Sequence, residues 1–133
     1  MGRALILSIV SVVIFSLFTG MALPRVQYAP MDSITVDTMV DSNDPGYQVC
    51  DFLADNCSLR GAISKSNKTS GGIGTIYVPA GTYILTLAGA NEEANATGSL
   101  DIKQPVVISG VGVDQTFIQA GTSDSNGIDR VFT

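Results

Sequence analysis

Apolar and polar positions divide the chain into three regimes. Ala4 to Phe18 is uncharged and almost wholly apolar, and small residues follow at Gly20 and Ala22. With Arg3 as a positive start, this predicts a secretory signal peptide over residues 1–22, with a second possible cut after Ala29. The apolar run is shorter than the ~20 residues that span a bilayer, so no stable transmembrane span is expected after cleavage. Residues 23–32, with two prolines, read as an extended linker. From there the pattern changes to period two. Ser33-Ile-Thr-Val-Asp-Thr-Met39 alternates apolar and polar, a strand with Ile34 and Val36 on one face.

Asp41-Ser-Asn-Asp-Pro-Gly46 is a dense turn cluster. Beyond Cys57 the period becomes helical. Ser58 suits an N-cap, and Leu59, Ala62 and Ile63 share one face of a short helix ending near Asn67. From Ile73 onward the chain predicts short strands at 75–78, 82–86, 100–102, 106–109 and 116–119, with a last one beginning near Arg130. Turn-rich segments such as Pro79-Ala-Gly81 and Gly110-Val-Gly112 separate them, and no second helix interrupts the series. Runs this short and this closely spaced predict an all-β architecture for residues 33–133. Gly112 and Gly121 sit just beyond apolar triplets, as at solenoid corners, yet the internal repeat is weak, and periodicity leaves sandwich and solenoid both open.

Composition narrows the function classes. The net charge is −5 and becomes more acidic once Arg3 is removed, with no basic patch, so nucleic acid is not an expected partner. The chain has no histidine, which excludes Ser-His-Asp and Cys-His catalysis. Its two cysteines, Cys50 and Cys57, predict one disulfide in an exported protein, worth about 2–3 kcal/mol by loop closure. The rival, a thiol metal pair, makes a poor zinc site without histidine. Glu92-Glu93 is an acid pair of the kind that can supply general acid and base, but adjacent residues on a polar loop read as a solvated tip. Asp41 to Gly46 starts like a calcium loop, but Phe52 stands where the twelfth-position glutamate belongs. Asp124-Ser-Asn-Gly127 reads as a turn for the same reason, and Gly110-Val-Gly-Val-Asp-Gln115 lacks the third glycine of a dinucleotide fingerprint. No catalytic, cofactor or metal residue is assigned. Three glycosylation sequons, at Asn56, Asn67 and Asn95, matter only in a eukaryotic secretory route.

One stretch carries a family signal. Cys50-Asp-Phe-Leu-Ala-Asp-Asn-Cys57-Ser-Leu-Arg-Gly-Ala-Ile63 is followed by Gly74-Thr-Ile-Tyr-Val-Pro-Ala-Gly-Thr-Tyr-Ile-Leu85 and by Val106-Val-Ile-Ser-Gly-Val-Gly112. This order resembles the N-terminal region of exported bacterial proteins named for a C-S-L-R-E-A-I motif, over roughly residues 34–132. The resemblance implies a right-handed parallel β-helix, with the disulfide loop and helix capping its N-terminal end and the chain truncated at its C-terminus. It implies a noncatalytic cell-surface or adhesion-type scaffold whose partners are extracellular glycans or proteins. The alternative is the N-terminal part of a secreted polysaccharide lyase or glycoside hydrolase whose catalytic residues lie downstream. The cap motif is Ser58, Leu59, Arg60, Gly61, Ala62 and Ile63, and Arg60 is expected to pair with Asp51 or Asp55 over the cap. Gly61 stands where the motif has an acid, so Gly61→Glu is expected to restore a capping box and stabilise the helix by roughly 1–2 kcal/mol.

Overall fold

Parallel pairing of successive returns of the chain organises the structure, a computed structural model that describes residues 32–123 and 125–133. The signal-peptide reading of 1–22 and all but the last residue of the 23–32 linker lie outside the described residues. The elements are β1 (Ser33–Thr35), a 3-10 turn (Pro45–Tyr47), α1 (Leu59–Lys68), β2 (Thr75–Val78), β3 (Gly81–Leu85), β4 (Val107–Gly110) and β5 (Thr116–Ala120). The described chain is therefore mostly strand and coil around one short α-helix. One sheet has the order β1-β2-β4 and the other pairs β3 with β5, and every ladder is parallel. The chain comes back beside itself from Thr75 to Val107, from Gly81 to Thr116, and at an isolated bridge from Leu100 to Phe132. Among the described residues it does not close into a solenoid.

Side-chain alternation sets what each strand buries. Ile76 and Val78 of β2 point into the core while Tyr77 is exposed; Tyr83 and Leu85 of β3 are buried. Val36, Ile63 and Leu100 complete the core from the other elements. Burying each such aliphatic side chain contributes about 1.5–3 kcal/mol. Pro79 and Ala80 separate β2 from β3, and the missing proline N–H suits a corner where no ladder bond is made.

The strand expected over Ser33 to Met39 pairs with β2 only as far as Thr35, plus one bond from the Val36 N–H to the Tyr77 carbonyl. It stops because Asp37 turns to the disulfide loop. The Asp37 N–H donates to the Cys57 carbonyl at 3.0 Å, and its Oδ1 accepts from the Cys57 N–H at 2.8 Å. The strands expected at 100–102 and near Arg130 form a single bridge in place of extended strands, with the Leu100 N–H donating to Val131 and the Thr133 N–H to Leu100. Cys50 and Cys57 form the expected disulfide, so neither sulfur is left as a thiolate ligand. Among the described residues no helix is long and apolar enough to cross a membrane.

Helix α1 starts where the sequence places it. Ser58 Oγ accepts the Gly61 N–H at 2.9 Å and donates to the Ser42 carbonyl at 2.6 Å. Leu59, Ala62 and Ile63 are buried together. Lys65 and Lys68 occupy the last turn, where their charge opposes the negative helix end.

The expectation for Gly61→Glu is overturned by the backbone of the 3-10 turn. The Tyr47 carbonyl accepts from the Ser58 N–H and lies directly over Gly61, where any Cβ would collide with it. Glycine is there because the backbone passes too close for a side chain, even though the helix loses some propensity. Both Gly61→Ala and Gly61→Glu are therefore expected to destabilise the protein by about 1–3 kcal/mol, the usual cost of overpacking. Urea midpoints below that of the parent protein are the expected result, and a raised midpoint for either variant would contradict this placement of Tyr47.

Candidate functional site

The motif residues converge on a buried cation. Arg60, on the first turn of α1, has no solvent exposure. A guanidinium carries five N–H donors and cannot be neutralised at physiological pH, so burial requires a partner for each donor. Its Nε donates to Asp41 Oδ1 at 2.6 Å and one terminal nitrogen to Asp41 Oδ2 at 3.3 Å, a two-pronged ion pair. That nitrogen also donates to the Gly98 carbonyl at 2.8 Å, and the other terminal nitrogen donates to the carbonyls of Thr97 and Ser99 at 3.3 and 3.0 Å. The expected partners, Asp51 and Asp55, do not meet Arg60; they sit on the exposed disulfide loop while the helix turns Arg60 inward.

Asp41 binds more than the arginine. Its Oδ2 accepts from the N–H groups of Thr86 and Leu87 at 2.7 and 3.0 Å, just past the end of β3. One carboxylate and one guanidinium thus tie together the turn before the disulfide loop, helix α1, the end of β3 and the 97–99 segment. The calcium-like reading of Asp41 is closed by this geometry, since both of its oxygens face the guanidinium and backbone donors.

The long connection between Leu85 and Leu100 is held by a second polar set. Asn95 is fully buried with φ 57°, a left-handed conformation that asparagine tolerates better than most residues. Its Nδ2 donates to the Arg60 carbonyl and to Ser64 Oγ, both at 2.9 Å, and its Oδ1 accepts the Asp101 N–H at 3.0 Å. Asp101 Oδ2 accepts the Asn95 N–H at 2.9 Å in return. Burial and these bonds leave the Asn95 sequon no free amide for a glycan. Asn67 also has both amide atoms engaged, by the Asp101 carbonyl and the Lys103 N–H.

The two acids at 92 and 93 do not act as a pair. Glu92 Oε1 accepts the N–H groups of Ala96 and Thr97 at 2.7 and 2.8 Å, and Oε2 accepts the Ala94 N–H at 2.8 Å. Partial burial pushes this carboxyl up, but the backbone donors of Thr97, Ala94 and Ala96, with the Arg60 charge, outweigh burial and hold it below the ordinary carboxylate range. Glu93 lies exposed beside a small polar hollow with Lys68 and Lys103. At the 121–127 turn, Asn126 Oδ1 accepts the N–H groups of Thr122 and Ser123, as a turn residue does. Gly112 likewise closes a turn, its carbonyl accepting from Gln115 and Thr116.

In this site buried charged and amide side chains bond to one another and to backbone groups. Among the described residues, no cluster of histidine, cysteine and acidic side chains could hold a metal ion. No family, curated protein or solved structure matches this chain.

Glu92 generates a pH prediction. Its folded-state pKa is depressed, so its contribution is fully present above its ordinary value of 4.5 and is lost as pH falls through the lower folded value. Protection of the Ala96 and Thr97 amides, measured by hydrogen exchange and corrected for intrinsic rates, is expected to fall on acidification from about pH 6 to about pH 3. In Glu92→Gln the same amides are expected to be less protected at neutral pH and to lack that titration. An unchanged acid response in the Gln variant would exclude Glu92 as the cause.

Proposed function

We propose that this chain is the capped first part of a right-handed parallel β-helix, a noncatalytic scaffold of an exported bacterial protein. It acts at the cell surface by contact with extracellular glycans or proteins. The observation that carries this reading is the all-parallel pairing of successive returns of the chain, β1 with β2, β2 with β4, β3 with β5 and Leu100 with Phe132, which is what stacked coils produce. The cap motif supports it. Helix α1 and the disulfide loop lie between β1 and β2, within the first return of the chain, and bury Leu59, Ala62 and Ile63 against β2. At the opposite side β4 and β5 are the last strands of their sheets. Between them an apolar hollow of about 630 Å³ is lined by Ile102, Val106, Ile108, Val113, Ile118 and Phe132. An apolar face of this kind, flanked by two unpaired parallel edges, suits coverage by a further coil of the same type.

The disulfide supports export, because such bonds persist in oxidising compartments. Long solenoid faces favour extended, distributed contacts over a single deep pocket. The acid that stood out in the sequence, Glu92, directs both its oxygens at backbone donors of its own loop, which leaves it poorly disposed to serve as a general acid or base.

The test is a turnover screen of the full chain on polygalacturonate and neutral glycans. No product is expected. Product formation that disappears in Glu92→Gln or Glu93→Gln would overturn the scaffold reading in favour of an enzyme.

A further inference from the structure

Strand β1 is the end member of the β1-β2-β4 sheet, and only one of its edges is paired. The Val36 N–H donates to Tyr77 and the Asp32 carbonyl accepts from Gly74. These bonds turn the even-numbered backbone groups toward β2. Alternation in a parallel ladder then directs the N–H and C=O groups of Ser33 and Thr35 away from the sheet. They open into a groove of about 420 Å³ between β1 and the disulfide loop, whose lining includes Ile34, Ile73, Asp51, Phe52 and Lys65. Among the described residues, no hydrogen bond occupies the outward groups of Ser33 and Thr35.

We infer that this groove is a docking site for an extended peptide segment of a partner protein, one that carries a basic residue beside an apolar one. A single-stranded edge offering a donor and an acceptor at every second residue matches an extended chain, which adds as a further strand. The apolar requirement comes from Phe52, which is fully exposed on the loop above the groove although it is a large aromatic. An aromatic anchor on an ordered loop gives more binding per contact than one on a mobile loop, since less loop freedom is lost. The backbone of the loop that carries it is ordered. Cys50 and Cys57 close it, Asp51 Oδ1 accepts from Leu53 N–H at 2.8 Å and from the Asn56 side chain, and Cys50 and Asp55 take up left-handed conformations.

The charge specifies the partner. Asp32, Asp51 and Lys65 line the groove, two carboxylates against one ammonium, and that ammonium also donates to the carbonyls of Val49 and Cys50. The Asn56 side chain and the Leu53 N–H hold the Asp51 carboxyl below its ordinary range, so it stays ionised at neutral pH. A net acidic rim on a chain of charge −5 disfavours a second copy of itself and selects a cationic segment. The inference is independent of how the opposite, apolar end is covered.

The experiment uses the full chain with its disulfide intact and two short N-acetylated peptides of alternating threonine and valine, one with a central arginine and one with a central glutamate. Binding is read by fluorescence anisotropy, and hydrogen exchange reads the Ser33 and Thr35 amides. The arginine peptide is expected to bind and to slow exchange at both amides. The glutamate peptide is expected to bind at least about tenfold more weakly. Phe52→Ala is expected to weaken the arginine peptide by a similar factor with the melting curve unchanged, because Phe52 makes no buried contact to lose. Three results would each overturn the proposal: equal binding of the two peptides, no change at Ser33 and Thr35 with millimolar arginine peptide, or amides already protected in the free chain because its own N-terminal residues cover the edge.

Discussion

A buried guanidinium must have a partner for every donor, and the way Arg60 meets that demand fixes where four parts of this chain sit. Its five N–H bonds reach Asp41 twice and the carbonyls of Thr97, Gly98 and Ser99 once each. Asp41 in turn receives the backbone of Thr86 and Leu87. These groups lie far apart in sequence and carry no regular secondary structure of their own apart from α1. No ladder holds residues 86–99, which make up the longest irregular connection among the described residues, so the charge pair and its neighbour Asn95 supply the order that hydrogen-bonded strands supply elsewhere. Removing one partner would leave the other charge buried and uncompensated, a loss of about 3–5 kcal/mol in comparable pairs.

The cap follows from the same constraint. Arg60 points inward from the first turn of a helix capped by Ser58, and the Tyr47 carbonyl passes over Gly61 on that same turn. The disulfide and the Asp37 bonds to Cys57 keep the preceding loop beside β1. The helix then buries Ile63 and Ala62 over β2, and the parallel ladders continue from there. The two edges of the larger sheet differ in consequence. On the β1 side the rim is polar and acidic with one exposed aromatic; on the β4 side the surface is apolar, with Val107, Val113, Phe117 and Phe132 exposed.

Much of the fold was legible because it depends on local pattern. Period-two alternation located β2 to the residue and β3 and β5 to within one, and the Ser58 cap with the Leu59, Ala62 and Ile63 face located α1. The cysteine pair was legible from count and context. What the sequence did not carry were contacts between distant positions. Nothing near Asp41 marks it as the partner of Arg60, nineteen positions on in the chain. The two nearer acids, Asp51 and Asp55, were the natural choices until the helix orientation was known. Gly61 looked like a departure from a capping pattern because the Tyr47 backbone above it belongs to another segment. Glu92 read as part of a solvated tip because a loop closing on its own carboxylate leaves no periodic trace. Asn95 was noticed only as a sequon; its burial and left-handed backbone depend on the loop around it.

The most direct test of the account is a double-mutant cycle on Arg60 and Asp41, using Arg60→Met, Asp41→Asn and the double variant, with stability from urea melts near neutral pH. If the pair is the constraint on which the cap and the 86–99 segment depend, each single variant loses several kcal/mol. The double variant then loses clearly less than the sum, with a coupling of about 1.5–3 kcal/mol. Single losses that add to within about 0.5 kcal/mol would contradict it, because independent residues behave in that way.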